Sequence, residues 1–104
     1  MPSERHRFLI KSSTPPTIEA DPQVRAIYIR FKNAPVAKTV GHPCESMHIA
    51  IDLDQKGDVI GIEAVGLDEC SIHAVQLVLR KAAVEAPNVE FSRARFVPTN
   101  MVAA

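Results

Sequence analysis

The 104-residue sequence has no tryptophan, one tyrosine, two cysteines and four glycines, and its 12 basic residues are cancelled by 12 acidic ones. Each shortage removes a class of function. Two cysteines in a chain with no export signal read as free thiols, not as the disulfide frame of a small secreted domain. Balanced charge removes the electrostatic case for a dedicated nucleic-acid or membrane-surface binder. No apolar run approaches the ~20 residues that span a bilayer. Phe8-Leu9-Ile10, after Arg5-His6-Arg7, is too short for a signal-peptide core of about seven apolar residues. Gly57, Gly61 and Gly66 are scattered through strand and turn sequence with no Gly-Lys-Ser/Thr after them, so there is no phosphate-binding loop. What remains is ordinary globular usage, 46% hydrophobic and 23% charged. A domain of this size buries roughly two-thirds of its unfolded surface and needs neither metal nor disulfide to hold a core.

Periodicity supplies the architecture. Ser12-Ser13-Thr14-Pro15-Pro16 is a polar, proline-rich break after a short strand candidate at residues 7–11. Residues 1–16 therefore read as an arm, 17–98 as one domain and 99–104 as a loose tail. Residues 17–20 and 27–31 form a hairpin around Asp21-Pro22-Gln23-Val24, with Ile27, Ile29 and Phe31 on one face and Tyr28 and Arg30 on the other. A short strand at 36–40 and a loop at 41–46 follow. Residues 47–53 and 58–65 make a second hairpin through Asp54-Gln55-Lys56-Gly57. Ser71 caps a helix over 72–85 that Pro87 stops, and an extended segment runs over 89–97. The expected core is Ile27, Ile29, Phe31, Ile49, Ile51, Ile60, Ile62, Ile72, Val75 and Leu79. Leu77 and Val84, seven residues apart, share one stripe among the polar residues of the helix. Scattered exposed apolar residues are ordinary, but two in register mark a contact with a second subunit or partner.

Asp21-Pro22 with Ala26-Ile27-Tyr28-Ile29-Arg30-Phe31, then Pro35-Val36-Ala37, then Ile51 to Glu63 (IDLDQKGDVIGIE) resembles a small prokaryotic family, the domain-of-unknown-function family 2283. The resemblance covers residues 17–66. It implies a compact meander of short antiparallel strands and no established activity. Arg25 stands where the family pattern has Asp, which implies a differently capped first turn. His42, Pro43 and Cys44 replace a featureless acidic stretch. The helix and last strand, residues 67–98, extend beyond the family core.

Several patterns resemble chemical sites, and each has a structural explanation. Asp52-x-Asp54-x-Lys56-Gly57-Asp58, with Glu63 at the twelfth position, counts as a calcium loop, but Lys56 occupies a ligand position and the flanks are strands. His42, Cys44 and His48 with Cys70 and His73 are zinc-type ligands in two clusters, at spacings no standard zinc motif uses. Cys70 with His73 near a helix start suggests a nucleophile, yet Asp68 and Glu69 beside it oppose thiolate formation. Arg93 and Arg95 with Phe91 and Phe96 form a solvated strand face in preference to a nucleic-acid surface.

Together these readings predict an α+β fold: a small antiparallel β-meander, one helix packed on one face, and a final strand. They predict a non-enzymatic, cytoplasmic interaction or oligomerisation module, with no catalytic residue and no cofactor. It works as a homo-oligomer (a dimer) or with another small protein, through Leu77 and Val84. The alternative is a small ligand- or metal-binding protein using His42, Cys44, His48, Cys70 and His73.

Overall fold

Alternating apolar positions meet in one row across six strands of the computed structural model, which describes residues 8–44 and 46–98. Val40 lies opposite Ile51, Ile51 opposite Ile62, Ile62 opposite Ile29, Ile29 opposite Ile18, and Ile18 opposite Phe96. Opposed residues in a ladder point to the same face, so this row forms the middle of the core. The four isoleucines are fully buried, whereas Phe96, on the last strand, is 44% exposed.

The strands are β1 (Phe8–Leu9), β2 (Thr17–Asp21), β3 (Ala26–Arg30), β4 (Lys38–Pro43), β5 (His48–Leu53), β6 (Val59–Val65), β7 (Val84–Glu85) and β8 (Arg95–Pro98), with helix α1 at Ile72–Lys81 between β6 and β7. Six of them form one sheet in the order β4-β5-β6-β3-β2-β8. All its pairings are antiparallel except β2 with β8. The fold is α+β, with both expected hairpins and a final strand that returns to the sheet. Helix α1 packs Ala74, Val75, Val78 and Leu79 into the apolar cluster on one sheet face. Ser71 caps it as expected, its Oγ accepting from the Ala74 N–H at 3.3 Å.

Four expectations need correction. The helix stops at Lys81, not Glu85: Ala82 is its C-cap and Ala83 turns to a φ of +59°. That turn sends Val84–Glu85 into a parallel pairing with Phe8–Leu9, and tertiary pairing overrides the helix propensity of the two alanines. Second, the described part of the arm, residues 8–16, packs onto the domain, with Ile10 and Pro16 buried and Ile10 part of the core. Third, the strand expected at 36–40 runs from Lys38 to Pro43, since Gly41 and His42 pair with Ala50 and Ile49; Pro43 comes last, where its missing N–H is tolerated. Fourth, Ile72 is half-buried. Ile60 is buried but occupies a bulge: Asp52 faces Gly61 and Leu53 faces Val59. The Ile60 carbonyl there accepts the N–H groups of both Phe31 and Lys32, at 2.9 and 3.3 Å. The expected loose tail, 99–104, lies outside the described residues.

Candidate interaction surface

The strand period that buries the isoleucine row aims its neighbours the other way, onto a face that no described element covers. On this open face Asp52 of β5, Gly61 of β6 and Arg30 of β3 are in line, and so are Ala50, Glu63, Tyr28 and Glu19. A polar lattice joins them. The Tyr28 hydroxyl donates to Asp52 Oδ2 at 2.8 Å, and the Thr39 hydroxyl donates to Asp52 Oδ1 at 2.7 Å. Arg30 Nη2 donates to Glu19 Oε2 at 3.2 Å, and its guanidinium carbon lies 5.0 Å from the Tyr28 ring centroid. Tyr28 reaches Asp52 by passing over Gly61, where an added Cβ would collide with the phenol oxygen. Burial, followed by the hydrogen bond and charge of Asp52, raises the Tyr28 pKa well above its ordinary value, so the phenol is a fixed hydrogen-bond donor at neutral pH.

The sheet has two edges. Strand β8 is four residues long, pairs parallel to β2 and ends on Pro98. Strand β4 is six residues long and, among the described residues, has only β5 beside it. Its Lys38, Thr39 and Gly41 are exposed and Val40 is half-buried, so a row of main-chain donors and acceptors faces outward.

The other residues singled out by the sequence do not assemble. Val84 is only 6% exposed, in β7, while Leu77 is half-buried against the core on α1, so the two form no shared stripe. Along β4 and β5, His42 shares a face with Ile49 while His48, opposite Pro43, points the other way. Cys44 follows β4, and His73 is exposed in the first turn of α1. Among the described residues, no three His, Cys, Asp or Glu side chains converge as metal ligands. Cys70 donates weakly to the Ala26 carbonyl at 3.7 Å. Its pKa is raised by burial and then by Asp21. Asp68 instead pairs with Arg25, and Glu69 accepts from the Ser71 hydroxyl.

The calcium-like acids are also engaged. Asp54 Oδ1 accepts the N–H groups of Lys56 and Asp58, each at 2.9 Å, and Oδ2 holds Lys32 Nζ at 2.7 Å. The Lys32 hydrogen bond is the main cause that keeps the Asp54 carboxyl below its usual pKa. An ammonium thus occupies the place of a cation, while Gly57 supplies the positive φ, +86°, of the turn. Arg25, the departure from the family pattern, takes φ +56° at the first hairpin. Its side chain donates to the Leu67 carbonyl at 2.7 Å, tying that turn to the segment before α1.

Sequence reasoning overlooked the lattice of Tyr28, Asp52, Thr39, Arg30 and Glu19. Its signal was present in the polar phase of three alternating strands, but only the register reveals which of those residues meet. No curated protein and no solved structure matches the chain. The family described as protein of unknown function DUF2283 matches residues 18–66, which hold all five of these residues and the whole of β4. The match to the DUF2283 model ends at residue 66, and α1 and the strands after it lie beyond it.

Proposed function

We propose that the protein is a non-enzymatic, cytoplasmic interaction module that self-associates by pairing β4 with the β4 of a second copy. The observation that carries this reading is the six-residue edge with no neighbour among the described residues. A two-fold axis normal to the sheet lays two such edges antiparallel, each outward N–H meeting a carbonyl, and the contact is self-complementary and closed. Strand β8 is a poorer edge because it is short and ends in proline. Burial and Asp21 raise the Cys70 pKa, which argues against that thiol as a nucleophile. The two unpaired thiols suit a reducing compartment.

Native mass spectrometry of the untagged chain tests this. The expected species is a dimer. Along an edge strand successive N–H groups alternate between the neighbouring strand and solvent. One of Val40→Pro and Gly41→Pro therefore removes an outward N–H while sparing the β4–β5 ladder. That variant should keep its melting temperature and become monomeric. A wild-type monomer at high micromolar concentration, or two proline variants that both stay dimeric, would refute the reading.

A further inference from the structure

The hydrogen-bond ladder decides which main-chain groups of β4 face outward. The Phe31 N–H donates to the Ile60 carbonyl and the Ala37 N–H donates to the Leu53 carbonyl. Both bonds require the odd residues of β5 to turn their N–H and C=O groups towards β4. Val40 and His42, opposite Ile51 and Ile49, therefore bond inward. Thr39 and Gly41 present their N–H and C=O groups to the open side. Gly41 is exposed, a Cβ added to it would meet nothing within 4 Å, and its φ is not positive. A single chain has no use for glycine at that position, whereas bare backbone in a strand suits the close approach of another strand.

We propose that two copies meet in one register, with Val40 on the two-fold axis and Thr39 of each copy exchanging main-chain hydrogen bonds with Gly41 of the other. This rests on the pairing of β4 argued above and gives it a definite contact. A two-fold axis normal to the sheet keeps each face on its own side, so residues brought opposite must share a face. Lys38, Val40 and His42 lie on the core face, opposite Leu53, Ile51 and Ile49, while Thr39 and Gly41 lie on the open face. An axis at Thr39, Val40 or Gly41 overlaps most of the strand. At Gly41 it would bring Thr39 against Pro43, which has no N–H for the Thr39 carbonyl, and Val40 against His42. At Thr39 it would bring Gly41 against Ala37, whose N–H is already given to the Leu53 carbonyl, and Val40 against Lys38. With Val40 on the axis, each outward N–H and C=O of Thr39 and Gly41 finds its counterpart. The half-buried Val40 then packs on its own copy, an apolar cross-strand pair, and Lys38 lies opposite His42 at each end.

Disulfide cross-linking of full-length single-cysteine chains reads the register. In a Cys44→Ser, Cys70→Ser background, Val40→Cys carries the one thiol. Residues facing each other on this axis form a non-hydrogen-bonded pair with Cα atoms about 4.5 Å apart, within disulfide reach. Thr39 and Gly41 would each lie roughly 9 Å from their own counterparts, beyond that reach. Under oxidised glutathione, Val40→Cys should form a covalent dimer about tenfold faster or more than Thr39→Cys or Gly41→Cys in the same background. Thr39→Cys or Gly41→Cys linking as fast as Val40→Cys would overturn the register and leave the pairing of β4 standing. A dimer by native mass in which none of the three links would overturn both, as would a monomer. The unsubstituted chain gives a second reading. A mixture of isotope-labelled and unlabelled copies should show a nuclear Overhauser effect between Val40 methyl groups across the dimer, and a dimer without it would overturn the register.

Discussion

Tyr28 is the only tyrosine of the chain, so the ultraviolet titration of phenol reports this side chain alone. Burial and Asp52 both raise its pKa. Asp52→Asn removes a negative charge that repels phenolate, so it should lower the titration midpoint towards the ordinary value of 10.0. The linkage follows from the sign. A raised acid pKa means that the folded state prefers the protonated phenol. Its contribution to stability is complete below the unfolded value and fades as pH rises through the folded one. An unchanged midpoint in Asp52→Asn would show that the hydrogen bond does not form in solution. Gly61→Ala tests the same contact from beneath, because its Cβ falls where the phenol lies. The expected destabilisation is about 1–3 kcal/mol by urea unfolding, with the tyrosine midpoint lowered as well.

At the scale of elements, what the sequence made legible was whatever local chemistry decides. The alternation of Ile27, Ile29 and Phe31 and the Asp54–Gly57 turn defined hairpins that the structure contains. Ser71 marked the start of α1 correctly. The end of α1 was not legible, because Ala82-Ala83 favours helix and only the distant Phe8–Leu9 strand requires a turn there. Nor was the bulge at Ile60, which depends on the register of β5 against β6. The candidate surface was half legible: Tyr28 and Arg30 were assigned to the polar face, whereas their partners on β5 and β2 depend on pairing. Ala83→Gly turns the helix boundary into a question of sign. Inside a helix that ran to Glu85, glycine would cost about 1 kcal/mol relative to alanine. At φ +59° it instead relieves a left-handed alanine worth roughly 1–2 kcal/mol. A higher melting temperature is expected, and a lower one would mean that the helix continues.

The first described segment, residues 8–11, is tied to the segment after α1. Strand β1 pairs with β7, the Ile10 N–H donates to the Glu85 carbonyl at 2.8 Å, and the Asn88 side-chain amide donates to the Lys11 carbonyl at 3.3 Å. Strand β8 lies along β2, so residues on both sides of the DUF2283 segment close the same core. Composition reads Ser12 to Pro16 as a break and what precedes it as an appendage. Residues 8–11 are nevertheless docked, because Ile10 inserts into the cluster that α1 covers, at 5% exposure. The difference is measurable. An arm residue changed to alanine alters stability by within about 0.5 kcal/mol, whereas a buried isoleucine truncated in a core costs about 2–5 kcal/mol. Ile10→Ala should fall in the second range in equilibrium unfolding. Leu9→Ala, one residue earlier and 52% exposed, should fall in the first. Equal, small effects at both positions would return the N-terminal segment to the status of an arm.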